Sequence, residues 1–237
     1  MNQAMKIKTF ELPHEHYLLK GDEYGTEPSE NNTLILHGAG GSSRATFIRM
    51  REHLHAHGIQ SVSFDFVGHG ETGGNIQETT LRGRTEQAAA VIKYKCQEPL
   101  TLIGASMGAY SAVRLTERFA VKDLILLVPA VYTPRVYEVP FGPRFSVIIR
   151  EQESWANSDA FAALASFSGN IIIIAAEFDE VIPMKLIDQL YGSARNAKTR
   201  TLHIVPDSEH LSLFPEERDF ATAMELMLAV LKDRHGI

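Results

Sequence analysis

Short apolar runs of strand length recur along the chain, and from residue 33 onward they alternate with segments whose apolar positions return every three to four residues. The runs are "TLILH" from Thr33, "QSVSFDF" from Gln60, "LTLIGA" from Leu100, "DLILLVPA" from Asp123, "NIIIIAAE" from Asn170 and "RTLHIV" from Arg200. They are rich in Ile, Leu and Val without clean polar alternation, as expected of parallel strands covered on both faces by helices. Between them, Phe47, Met50 and Leu54 form one helical stripe, and Phe220, Ala223, Met224, Met227, Leu228 and Leu231 form another over three turns. The pattern predicts an α/β fold with a doubly wound, mostly parallel central sheet and helices on both faces. Ahead of it, "IKTFEL" and "HYLLK" predict an antiparallel opening hairpin, and "GDEYGTEPSENN" from Gly21 reads as a surface loop.

One interval breaks the alternation. About 40 residues separate "DLILLVPA" from "NIIIIAAE", more than a crossover helix needs. They carry Pro134, Pro140 and Pro143, the aromatics Tyr132, Tyr137, Phe141 and Phe145, and then Trp155. Residues 131–169 are therefore expected to form a small insertion, a lid or cap, on one α/β domain spanning 1–237.

Composition narrows the function classes. The 237 residues are 44% hydrophobic and 22% charged, ordinary for a water-soluble globular chain, and the net charge of −6 with no basic run argues against a nucleic-acid partner. No apolar run reaches the roughly 18 residues that span a bilayer, and the first 20 residues lack the apolar core of a secretion signal, so a cytoplasmic protein is expected. Cys96 is the sole cysteine, which excludes an intrachain disulfide and a thiolate-rich metal site.

The candidate chemistry starts at Gly104-Ala105-Ser106-Met107-Gly108, a G-x-S-x-G match. The bare pattern arises easily by chance, but here a buried strand precedes it and a helical segment follows, the setting of a nucleophile elbow. The competing reading of Ser106 is a tight turn or helix cap. A serine hydroxyl needs an adjacent base, and the base needs a group that fixes its tautomer. Asp179 follows the strand "NIIIIAAE" and His210 follows "RTLHIV", in the chain order Ser, acid, His and at the carboxyl ends of strands. Glu177 and Glu180 compete with Asp179 for the acid position.

Two backbone N–H donors should face the developing oxyanion: Met107, next to the nucleophile, and a residue of "HGAGGSS", for which Ala39 is the choice. That glycine-rich loop matches neither phosphate-binding spacing. Asp65 and His69 in "FDFVGHGETGG" lack a metal-ligand spacing and are expected to be structural. His14, His16 and His37 are expected to be structural or exposed. No metal or cofactor is called for.

Taken in order, "LILHGAGGSS", "DFVGHGET", "GASMG", "FDEVIP" and "SEHLSLF" resemble the α/β-hydrolase superfamily over nearly the whole chain, within it the small serine hydrolases related to monoacylglycerol lipases, cinnamoyl or feruloyl esterases and the serine aminopeptidase-like group. The resemblance implies Ser106 as nucleophile, Asp179 as acid, His210 as base, Ala39 and Met107 as oxyanion hole, and a cap at 131–169. Thr72 stands where the superfamily's D-x-x-G-H-G-x-S segment ends in Ser. Ala176 replaces a Gly common before the acid, and "PDSEH" lacks the Gly common before the histidine. Gly38, Trp155, Tyr132 and Phe141 are expected to contact substrate. The expected activity is hydrolysis of carboxylic esters of short acyl or aryl acids, with a small-molecule ester or thioester as partner. A thioesterase, acyltransferase or small-peptide hydrolase using the same three residues is the near alternative. A non-catalytic binding protein on the same scaffold is the distant one.

Overall fold

The computed structural model describes residues 7–25 and 32–231. Its centre is an eight-stranded sheet in the order β1-β2-β4-β3-β5-β6-β7-β8. The strands are β1 (Ile7–His14), β2 (Tyr17–Tyr24), β3 (Thr33–Leu36), β4 (Ser61–Phe64), β5 (Leu100–Ala105), β6 (Val121–Leu127), β7 (Asn170–Ala176) and β8 (Thr199–Val205). β1 and β2 form the expected antiparallel hairpin, β2 pairs antiparallel with β4, and every remaining pair is parallel.

The buried runs explain the two-sided architecture. Along β6, Leu124 and Leu126 join one apolar cluster while Ile125 and Leu127 join the other; along β7, Ile171 and Ile173 alternate in the same way with Ile172 and Ile174. Successive strand side chains point to opposite faces, so a run apolar at every position must be covered twice. On one face lie α1 (Ile48–Ala56) and α7 (Glu217–Leu231), whose predicted stripes Phe47, Met50, Leu54 and Phe220 to Leu231 are buried there. On the other lie α2 (Leu81–Lys95), α3 (Met107–Leu115) and α6 (Met184–Ser193). Among the described residues no helix is long and apolar enough to cross a membrane.

One boundary differs from the sequence expectation. Gly21–Tyr24, read as the start of a loop, completes β2 and pairs with Ser61–Phe64 of β4. Its acidic residues are buried in ion pairs rather than solvated: Asp22 meets Arg51 and Arg44, and Lys95 Nζ donates to Glu23 Oε1 at 2.5 Å. Of the remaining predicted loop, residues 26–31 lie outside the described residues.

Segment 131–169 contains a 3-10 turn at Pro134–Val136, α4 (Pro143–Ile149) and α5 (Ala160–Ser166). It is fastened to the α2–α3 side of the molecule. The Arg82 amide donates to Tyr137 O at 2.9 Å, the Phe141 amide to Thr79 O at 3.1 Å, and Tyr110 Oη to Asp159 Oδ1 at 2.8 Å.

Candidate active site

The turn between β5 and α3 owes its shape to what its glycines lack. A Cβ on Gly104 would stand 2.7 Å from Ala109 Cα, and one on Gly108 would stand 2.3 Å from Leu36 O and 2.6 Å from His37 O. Both positions must therefore be glycine for α3 to press against β5 and the end of β3. Ser106, between them, has φ 49° and ψ −118°. That region costs a non-glycine residue about 1–3 kcal/mol, and it is held by the Ser106 amide donating to Leu127 O at 2.9 Å and Ser106 O accepting from Ala109 and Ala130 at 3.0 and 3.2 Å.

The strained turn aims the hydroxyl at His210. Ser106 Oγ lies 3.0 Å from His210 Nε2, and His210 Nδ1 lies 2.8 Å from Asp179 Oδ2. The other carboxylate oxygen accepts from the Val181 and Ile182 amides, both at 2.8 Å. Burial would raise the Asp179 pKa, but hydrogen bonds from His210 and from the Ile182 and Val181 amides outweigh it and hold the carboxyl below its ordinary 3.8. An ionised Asp179 demands a proton on Nδ1, which leaves Nε2 with a lone pair facing the serine hydroxyl.

Two loops must meet for this chain of contacts to exist, and Ser208 joins them. Its buried Oγ donates to Val205 O at 2.7 Å and accepts from the Glu177 amide at 3.3 Å, while the Phe178 amide donates to Ser208 O at 2.8 Å. Glu177 accepts from the Asp207 amide at 2.9 Å, so it braces the junction, and Glu180 is exposed. Of the three acidic candidates, Asp179 is the one bonded to His210.

Ser106 and His210 open into a cavity of about 770 Å³. Gly38 and Ala39 form its edge, and Phe47, Met50, Phe214 and Phe220 supply apolar wall. A Cβ on Gly38 would lie 3.2 Å from Ser106 Cβ, so this glycine lets the loop after β3 approach the serine. Met107 is the first residue of α3, where an amide has no intrahelical acceptor. The other three residues expected at substrate sit elsewhere. Tyr132 stands edge-on to Tyr110 with centroids 5.5 Å apart, Phe141 edge-on to Phe145 at 4.8 Å, and Trp155 packs, partly buried, against the apolar cluster that contains them; none of them lines this cavity.

The "FDFVGHGET" segment is a brace. Asp65 accepts from the Arg44 amide at 2.8 Å and the Glu71 amide at 2.9 Å and is ion-paired to the Arg44 guanidinium. Thr72 Oγ1 donates to Asp65 O at 2.6 Å and accepts from the Lys20 amide at 2.8 Å. His37 is buried, and burial with Arg84 and His69 beside it pushes its pKa down to about 2. The neutral ring accepts from the Phe66 amide at 3.0 Å through Nε2 and donates through Nδ1 to Gly38 O at 2.7 Å. His14 pairs with Tyr17 in the hairpin register, and His16 is exposed beside Glu78. Among the described residues no group of three or more His, Cys, Asp or Glu could hold a metal ion.

Sequence reasoning passed over Arg84. It lies on the apolar stripe of α2 with Leu81 and Ala88, completely buried, its guanidinium 3.8 Å from the centroid of the Phe66 ring. A cation on the inward stripe of a helix was the signal that could have marked it.

The family model described as serine aminopeptidase, S33 (Hydrolase_4) matches residues 27–154. Among solved structures, the chain is similar to an esterase of Pyrococcus furiosus, with 21% identity, 96% of this chain and 93% of that chain covered, and a TM-score of 0.70. It is also similar to Est1E of Butyrivibrio proteoclasticus, solved with ferulic acid bound, with 20% identity, coverages of 94% and 99%, and a TM-score of 0.70. A monoacylglycerol lipase of Paleococcus ferrophilus aligns with 16% identity, coverages of 89% and 98%, and a TM-score of 0.70. At such identities the likeness is one of fold. A search of curated protein sequences gave no match.

Proposed function

The chain belongs to the serine aminopeptidase S33 family of α/β-hydrolases, and from that premise we propose that it is a serine hydrolase cleaving carboxylic esters of short acyl or aryl acids through an acyl-enzyme on Ser106. The observation that carries this reading is the unbroken run of hydrogen bonds from Ser106 Oγ through His210 to Asp179, opening onto a cavity edged by Ala39. His210 Nε2 takes the hydroxyl proton as Ser106 Oγ bonds to the ester carbonyl carbon. The carbonyl oxygen becomes an oxyanion facing the amides of Ala39 and Met107, whose hydrogen bonds strengthen as its charge grows. The C–O bond to the alcohol then breaks, with His210 returning the proton to the leaving oxygen. Water, deprotonated by the same imidazole, attacks the acyl-enzyme and releases the acid and the serine. Asp179 remains ionised throughout and stabilises the transient imidazolium.

The cavity wall favours an ester or aryl substrate over the peptide that the family's description suggests. An aminopeptidase must hold a substrate ammonium group. Among the described residues lining this cavity there is no carboxylate, and Arg49 is a cation. Segment 131–169 is proposed as a small cap whose aromatics hold it on the body. The three residues of the reacting chain are all present, which disfavours a purely binding protein.

Turnover of p-nitrophenyl butyrate by wild type and Ser106→Ala tests the proposal. The variant should lose at least about 10³-fold in kcat. A folded variant with full activity would put the chemistry elsewhere, and a wild type that a fluorophosphonate does not label, by intact mass, would favour the binding protein.

A further inference from the structure

The guanidinium of Arg84 is buried beneath the loop that carries Ala39, and its hydrogen bonds go to that loop. Nη2 donates to His37 O at 2.7 Å and to Gly38 O at 2.9 Å. Among the described residues, Nε and Nη1 have no hydrogen-bond partner and no carboxylate pairs with Arg84. Burial without a counter-ion is expensive for a cation, and it pushes this guanidinium down to about 9. An apolar side chain would fill the same place under Phe66 without that cost, so packing alone does not account for an arginine here.

We propose that Arg84 is a positioning residue for the oxyanion site, acting through the peptide unit shared by Gly38 and Ala39. The oxygen of that unit is Gly38 O, which accepts from both Arg84 Nη2 and His37 Nδ1. Its hydrogen is the Ala39 N–H. In a planar trans peptide the two point in opposite directions, so anchoring the oxygen inward turns the N–H outward, on the side where a Cβ on Gly38 would meet Ser106 and where Ala39 lines the cavity. Two donors on the oxygen, one of them charged, also withdraw electron density through the amide and make the N–H a stronger donor. His37, neutral, fixes the direction. Arg84 adds the positive potential, delivered through one peptide bond to the place where negative charge develops.

The inference rests on Ser106 being the nucleophile, and the experiment separates the two. Wild type, Arg84→Met and Arg84→Lys are compared for thermal melting, for kcat and KM on p-nitrophenyl butyrate, and for inhibition by phenylboronic acid, whose serine adduct carries a tetrahedral oxyanion. Arg84→Met should lose about 10- to 100-fold in kcat with KM within about threefold, and its boronate Ki should rise in parallel. Arg84→Lys, keeping the charge but not the fork, should fall between the two. A folded Arg84→Met with wild-type kcat, or a loss confined to KM or melting temperature with boronate affinity unchanged, overturns the assignment. If Arg84→Met does not fold, Arg84→Lys decides by the same measures: a kcat loss matched by the boronate Ki supports the role, and an unchanged kcat refutes it. Failure of wild type to be labelled by a fluorophosphonate removes the nucleophile and this inference with it. A labelled wild type with an unaffected Arg84→Met removes the inference alone.

Discussion

The chain contains the dipeptide Phe-Asp twice at the carboxyl end of a sheet strand, at Asp65 after β4 and at Asp179 after β7. Each carboxylate is buried, each accepts two backbone amides of nearby loops, and each takes a third bond from a nitrogen base. They diverge in that last partner. Asp65 holds Arg44, which stays protonated at any working pH and can only anchor; Asp179 holds an imidazole, which can accept and return a proton. The same backbone device therefore builds a brace at one strand end and a candidate reaction centre at another, with the chemistry residing in what the carboxylate orients.

Exchanging the carboxylates for amides should expose that division. Asp179→Asn is expected to lower kcat by about 10⁴-fold on p-nitrophenyl butyrate, because an amide permits the His210 tautomer that presents a proton to Ser106. Its kcat staying within tenfold of wild type would mean that another group orients the imidazole. Asp65→Asn should instead act on folding. It weakens the pair with the nearly buried Arg44, which keeps Asp22 and Glu71, so about 2 kcal/mol should be lost in urea unfolding, with kcat of the folded protein within about threefold. A large kcat loss with unchanged stability would erase the distinction between the two sites.

The smallest effect is in pH. The native Asp179 carboxyl titrates below its unfolded value of 3.8, so the stability it contributes is complete above that pH and disappears as pH falls through the lower native value. The stability gap between wild type and Asp179→Asn should accordingly be constant above about pH 5 and narrow progressively as pH falls below it. A gap that persists unchanged at pH 2 would assign it to shape rather than charge.

Much of this organisation was legible before any coordinates. The strand runs and the stripes of α1 and α7 follow from periodicity, since a segment apolar at every position has to be covered on both faces. Ser106, Asp179 and His210 could be singled out because each falls in a loop after a strand. What periodicity does not carry is the identity of a partner. Asp22 and Glu23 look like loop residues until Arg51 and Lys95 are seen to neutralise them. Glu177, Asp179 and Glu180 are alike in sequence, and only the loop junction at Ser208 separates the one that meets His210. The aromatics of segment 131–169 are as apolar as Phe47, Phe214 and Phe220; which set packs into the core cluster and which faces a cavity is decided by tertiary packing.

The glycines on either side of Ser106 have a consequence for how errors in this chain are handled. A methyl group at either position meets backbone at 2.3–2.7 Å, so the helix cannot seat on the sheet. Such a lesion is expressed during folding, where proteolysis can remove the product, instead of as a population of well-formed but idle molecules. The geometry of the turn thus couples the placement of one hydroxyl to the seating of a whole helix on the sheet.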